Sequence, residues 1–293
     1  MEIYQLRSFI KIAEVKNLTK SAGALNISQS ALSSQIKSLE DEFQISLFNR
    51  TPKGMFLTEH GESLLKHAKI IASSAENMTE AASLLKNKIS GNLKIGINTD
   101  PEFLNISKIK RKITMAMPDI RLSFVSSQSF ETHQILKRLD IDAGFHYGVI
   151  DSPEIFTIDL IDVVIRVVIP KEFINNDINE LTTDDVVSLP WIWTSCQCPF
   201  HITFQKELDK HGLKVNKTSD AVDENIVREL VKAGTGVAIM RQDEACYLEK
   251  KGFIKVWDGI KFTVPMKISC LKERKEEKKI QEVFAMISKI FLS

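Results

Sequence analysis

Across residues 18–50 the apolar positions predict a short helix, a tight turn and a longer helix. In the longer helix Leu32, Ile36, Leu39 and Phe43 recur at spacings of four, three and four, which makes one buried stripe. Gln29, Ser30, Ser33, Ser34 and Lys37 fall away from that stripe. Their face is polar, slender and almost free of acid, as a helix entering the major groove of DNA requires. The acids Glu40, Asp41 and Glu42 come only at its far end. Asn26-Ile27-Ser28 reads as the turn, with Ser28 capping the second helix and Thr19 placed to cap the first. Upstream, residues 4–15 form a predicted helix with Leu6, Phe9, Ile10 and Ala13 inward.

Downstream, Pro52 and Gly54 mark a turn between short extended pieces, the pattern of a wing. Arg50 and Lys53 stand at its base and tip, either as DNA contacts or as solvated loop charge. Residues 59–89 then predict one long helix. Leu64, Ala68, Ile71, Ala75, Met78, Ala82, Leu85 and Ile89 alternate spacings of four and three, which is a heptad seam suited to pairing with a second helix. A core-facing helix is the alternative. Ser90-Gly91-Asn92 reads as a hinge.

Beyond it strands and helices alternate: strand 93–97, helix 102–116, strand 121–126, helix 132–138 and strand 141–145. Such alternation implies βαβ units and a mainly parallel sheet. A strand at 162–169 crosses to a second unit. That unit holds LPWIWT at 189–194, a helix at 202–211, a strand at 218–222, a helix at 225–233 and a strand at 237–240. A strand at 264–271 returns, and a helix at 277–291 closes the chain with Ile280, Val283, Phe284, Ile287 and Ile290 inward.

At 293 residues the chain suits two or three domains. A net charge of +1 leaves the head region only mildly basic, so firm phosphate neutralisation calls for two heads acting together. The opening MEIYQLRSF does not read as a secretory leader, and no apolar run is long enough to span a bilayer. Four cysteines do not form a secreted disulfide pattern. A cytoplasmic protein is expected.

The series Leu6, Phe9, Ser21-Ala22, QSALSSQIKSLE, SLFNR and LTEHG resembles the winged helix-turn-helix of the LysR-type transcriptional regulators. Residues 217–240, KTSDAVDENIVRELVKAGTGVAIM, resemble the family again, Gly234 and Gly236 forming a tight turn into a buried strand. The resemblance implies a winged helix-turn-helix at 1–58, a linker and dimerisation helix at 59–89, and an effector-binding α/β domain of periplasmic-binding-protein type at 92–293. Lobe I would comprise 92–162 and 265–293, and lobe II 163–264. It further implies a sequence-specific regulator of transcription that is not an enzyme and needs no cofactor. Its partners would be double-stranded operator DNA, a small-molecule effector, itself (a dimer through the linker helix and a tetramer through the effector domains) and RNA polymerase. The effector, the target genes and the direction of regulation are not readable.

Two departures stand in the head. Gln44 replaces the glycine usual at the end of the recognition helix, so that helix is expected to end differently. Ser34 stands where a basic residue is common.

In open α/β lobes ligands sit beyond the carboxyl ends of strands. That rule selects Asn98, Thr99 and Asp100, then Ser126, Ser127 and Gln128, then His146, and Thr194 through His201, including Cys196 and Phe200. Thr99, Ser127, Gln128 and Asp100 could equally be helix caps. Cys196, Cys198 and His201 suggest a soft-metal or thiol sensor. Against that, a branch of the family has a Cys-x-aromatic-Arg pattern here, with His201 in place of its arginine. A neutral histidine together with Asp100 favours a neutral or cationic effector, or an anion bound better at acidic pH. No catalytic motif is present, so an enzyme or solute carrier on the two-lobed body is the remote alternative.

Overall fold

The computed structural model describes residues 1–52, 54–84, 89–174, 177–221 and 223–292. Its backbone contacts group Met1–Leu93, with the short segments Ala116–Arg121 and Lys137–Asp140, into one compact unit, and the remainder into a second.

In the first unit, helices α1 (Ile3–Val15), α2 (Leu18–Leu25) and α3 (Gln29–Phe43) precede a hairpin of β1 (Phe48–Thr51) and β2 (Gly54–Leu57). Leu6, Phe9, Ile12, Leu32, Ile36, Leu39 and Leu47 form the buried core, with Phe43 packed at its margin. Phe9 meets Phe48 edge-on at 5.5 Å, which joins the helices to the wing. Ser28 caps α3 through a bond from the Ala31 amide, as its sequence position predicts. The cap of α2 is Asn17, which accepts from the Lys20 amide, and not Thr19. Thr19 is the second residue of the helix, and its hydroxyl donates to Gln29 Oε1 at 2.9 Å.

Gln44 ends α3 in the left-handed conformation, φ 57°, so the helix ends as if glycine were there. Its side-chain amide donates back to the Asp41 carbonyl. A β-carbon in that conformation costs about 1 kcal/mol. Gln44→Gly is therefore expected to raise the stability of this unit by somewhat less than about 1 kcal/mol, because glycine also loosens the unfolded chain. A higher urea midpoint for the variant is the check.

Helix α4 (Glu59–Leu84) follows the wing. The LTEHG stretch at its start is a joint: Thr58 donates its hydroxyl to the Ser46 carbonyl and accepts from the Gly61 amide, and the Thr58 amide bonds the Leu47 carbonyl. A β-carbon on Gly61 would lie 2.2 Å from that carbonyl oxygen. The expected seam divides along α4. Ala68 is buried and Leu64 half-buried against the head core, whereas Ile71 and Met78 are 40% and 79% exposed. Leu85 lies outside the described residues, Ile89 is not helical, and Ser90-Gly91-Asn92 belong to a strand and do not form a loop hinge.

That strand is β3 (Ser90–Ile97), and the second unit begins within it, at Lys94. After it come α5 (Ile106–Ala116), β4 (Asp119–Ser126), α6 (Thr132–Lys137), β5 (Ala143–Tyr147) and β6 (Ile155–Pro170). Next are α7 (Thr183–Ser188), β7 (Pro190–Trp193), α8 (Pro199–Lys210), β8 (Asn216–Asp220), α9 (Glu224–Lys232) and β9 (Ala238–Arg241). The chain ends with α10 (Gln242–Lys250), β10 (Ile254–Leu271) and α11 (Lys278–Phe291). Among the described residues one sheet has the order β4-β3-β5-β10-β6-β9, and β7 pairs with β8 beside it.

The expected mainly parallel sheet is only partly found. β3 and β5 are parallel, as are β7 and β8, but β6 and β10 run antiparallel to each other over nearly their whole lengths. β10 also pairs with β5 at one end, while β6 pairs with β9 at the other. The two lobes thus share two continuous strands. Helices α7 and α10 lack a long apolar stripe, and the sequence pattern does not announce them. α11 buries Ile280, Val283, Phe284, Ile287 and Ile290 as predicted. At its foot Arg274 donates to Asp142 at 2.6 Å and to both oxygens of Glu277 at 2.7 and 2.9 Å. Asp142 also accepts from the Lys94 amide at 2.6 Å, so this buried cluster ties β3, β5 and α11.

Candidate functional site

On the first unit the outer face of α3 carries Gln29, Ser30, Ser34 and Lys37 exposed, and Ser33 half-buried. Gln29, Ser30 and Ser33 have polar partners within the head. Ser30 shares a hydroxyl contact with Ser28 at 3.0 Å, and the Arg50 guanidinium donates to Ser33 at 3.4 Å. Arg50 reaches Ser33 because β1 buries Phe48 and turns its next residues outward. The structure thus brings Ser33 and Arg50 together, while Lys53 lies outside the described residues.

In the second unit the carboxyl ends of β3, β4, β5, β7 and β9 open onto a cavity of about 280 Å³, which the starts of α8 and α9 also line. Thr99, Asp100, Ser127, Gln128, Thr194, Phe200 and His201 all line it, as the strand-end rule selects. Asp100 is also a cap: Oδ1 accepts from the Glu102 and Phe103 amides at 2.7 and 3.3 Å. Phe200 packs on Tyr147, ring centres 4.5 Å apart, and His201 meets Trp193 edge-on at 4.6 Å.

Two expected residues do not belong to it. His146 is fully buried in the sheet, its Nε2 2.8 Å from Ser269 Oγ. Successive strand residues face opposite ways, so Tyr147 lines the cavity and His146 points behind it. Burial lowers the His146 pKa to about 4. Cys196 is exposed and outside the lining, while Cys198 lies at the α8 start with its thiol pushed up by burial. Among the described residues no three His, Cys, Asp or Glu side chains gather as a metal set, so Cys196, Cys198 and His201 do not converge on one.

Sequence reasoning missed the charged part of the lining. Arg241, 3% exposed, donates through Nη1 to Thr99 at 2.6 Å and to Glu224 at 2.8 Å, and through Nε to Asp243 at 3.2 Å. Thr99 donates in turn to Glu224 at 2.7 Å, which links β3's end to α9 and β9 across the cavity. Arg228 bonds Glu244 and Asn225, and its Nη2 lies 3.8 Å from Asp100 Oδ2. The signal was available: Arg241 is the last residue of a strand whose end the same rule examines. His201 is buried, and burial, with Lys217 nearby, lowers its pKa to about 3. The imidazole of the free site is therefore neutral at mildly acidic pH.

Residues 3–62 match the model of the bacterial regulatory helix-turn-helix protein, lysR family, and residues 86–291 match the LysR substrate binding domain. The chain belongs to the LysR family of bacterial transcriptional regulators. It is 30% identical over 247 residues to the uncharacterized HTH-type transcriptional regulator YwqM of Bacillus subtilis, covering 82% of each chain. It is 32% identical over 175 residues to the Hca operon transcriptional activator HcaR of Escherichia coli, covering 59% of this chain and 58% of that one. Its fold is similar to that of a full-length OxyR variant from Pseudomonas aeruginosa (TM-score 0.71, 19% identity, 98% and 94% covered). It is likewise similar to the LysR family regulator CbnR in complex with its target DNA (TM-score 0.67, 17% identity, 98% and 99% covered). The LysR architecture accounts for both halves of the chain: a DNA-binding head and an effector-binding domain. No helix among the described residues is long and apolar enough to cross a membrane.

Proposed function

We propose that this LysR-family chain is a cytoplasmic, non-enzymatic, one-component regulator that reads an operator with α3 and responds to a small molecule held in the cavity. The observation that carries this is the exposed α3 face of Gln29, Ser30, Ser33, Ser34 and Lys37, flanked by Arg50 from the wing. CbnR, a relative in fold, is known bound to its target DNA, and HcaR is named as a transcriptional activator. Residues 1–58 act as the head, 59–89 as the linker and 92–293 as the effector domain, with lobe I at 92–162 and 265–293 and lobe II at 163–264. The exposed Ile71 and Met78 support pairing of two chains along α4, because free apolar side chains at helical spacing favour a partner helix. Effector domains then pair the dimers into tetramers, and RNA polymerase is the downstream partner. Differential affinity of the effector for two arrangements of the assembly is the physical basis of the response.

Footprinting on a panel of singly mutated operators tests the head. Gln29→Ala or Ser33→Ala is expected to relax preference at one or two base pairs, each by about 1–3 kcal/mol of discrimination. Lys37→Gln is expected to weaken all operators alike and to lower the salt slope by about one. An unchanged operator ranking in both alanine variants overturns the assignment.

A further inference from the structure

The charges around the cavity do not balance. Carboxylates of Asp100, Asp223, Glu224 and Glu244 line it against the guanidinium groups of Arg228 and Arg241. Both cations are already committed. Arg241 holds Glu224 and Asp243, and its planar group lies 4.2 Å from the Phe103 ring centre. Arg228 is bonded to Glu244 and faces Asp100. The nearest further cation, Lys217, sits over the face of Trp193 at 4.0 Å and is not part of the lining. An entering anion therefore meets no uncommitted positive group in the lining and more carboxyl groups than guanidinium groups, four against two. Asp100 and Glu224 are each about a third exposed, so solvent moderates that repulsion without removing it.

One acceptor is distinctly under-used. Asp100 Oδ1 takes two backbone amides, but the 3.8 Å gap from Oδ2 to Arg228 exceeds a hydrogen bond. At the same time several buried polar atoms in the lining have no bond among the described residues. They include the hydroxyl of Ser127, 5% exposed, and both ring nitrogens of His201, 6% exposed, with the Tyr147 hydroxyl and Asn98 Oδ1 beside them. Buried polar groups are nearly always bonded, so these mark where a ligand's own polar group is received. Ser127 and His201 are uncharged, so they can serve a neutral polar group and leave a charged one to Asp100. The rings of Tyr147 and Phe200, tilted by 50° to each other, supply an apolar wall, whose electron-rich faces also favour a cation.

We propose that the effector is a compact organic cation, an ammonium or guanidinium compound, whose charged group bonds Asp100 Oδ2 and faces Glu224 and Glu244, while Ser127 and His201 take a neutral polar group. This rests on the reading of the cavity as the effector site. The binding adds a charge-assisted bond to a carboxylate oxygen that has capacity to spare. It also offsets the excess of carboxyl groups without breaking the Arg241–Glu224–Thr99 link.

Calorimetric titration of the full-length protein with three probes of one shape tests it: cyclohexylammonium, cyclohexanol and cyclohexanecarboxylate. The cation is expected to bind at least about tenfold more tightly than the alcohol, with the carboxylate weakest. Asp100→Asn is expected to erase most of that preference and leave the alcohol unaffected, while Arg228→Gln increases it. Two cavity-filling variants, Ser127→Phe and Thr194→Trp, locate the binding. If the alcohol or the carboxylate binds best and both fillings block it, the site stands and the cation inference falls. Preferential cation binding untouched by either filling refutes the site reading and the inference with it. A cation that fails to bind, or binds no better than the alcohol, overturns the inference directly.

Discussion

Gly61→Ala is expected to destabilise the DNA-binding unit and to cost it most of its operator affinity. The added carbon would stand 2.2 Å from the Leu47 carbonyl oxygen and 3.0 Å from a Leu57 methyl. Backbone cannot swing aside as a side chain can. The start of α4 must move away from residue 47, and the Leu47–Thr58 bond that sets the wing against the helix lengthens or breaks. Overpacking of this kind costs about 1–3 kcal/mol, and contact with a backbone atom puts this site at the upper end. Urea unfolding gives the stability loss and gel shift the affinity loss. A variant with wild-type midpoint and wild-type binding would show that the close approach of Gly61 to Leu47 is unimportant.

Arg274→Met is expected to destabilise the effector domain still more, by about 3–5 kcal/mol, the cost of leaving buried charge without its partner. Arg274 is 8% exposed and Asp142 18% exposed, so water screens the abandoned Asp142 carboxylate poorly, while Glu277 keeps Lys279 at 3.7 Å. Adding Asp142→Asn removes that charge, and about half of the loss should return. Thermal unfolding of the single and double variants decides it. A double variant no more stable than the single one would locate the cost in lost packing and not in charge.

The head was legible because each of its determinants is local. A stripe such as Leu32, Ile36 and Leu39 lies within one helix, and its period alone says which side is buried. Where two local signals compete, the pattern does not choose. Asn17 and Thr19 both carry cap chemistry, and the backbone extends at Asn17, so the cap is there. In the effector domain the strand ends were legible, and with them Thr99, Ser127 and Phe200. Facing was harder: His146 and Tyr147 are adjacent, and moving one place along a strand exchanges cavity for core. Arg241 escaped because a buried guanidinium makes sense only beside Glu224 and Asp243, and the Glu224 contact spans 17 positions of sequence. The long pairing of β6 with β10 is nonlocal throughout, which is why two antiparallel strands were read as short, separate crossings.

Those two strands also bear on how a bound molecule is felt. Registered pairs run from Ile254 opposite Pro170 to Leu271 opposite Ile155, with irregularities at 257–261 and 266–267. Every hydrogen-bonded rung resists shear, so the lobes have no free swivel between them. Closing on a ligand has to wind this ribbon about its own axis, and the bulged positions are where it gives. Relative rotation of the lobes is thereby coupled to the twist of one shared ribbon.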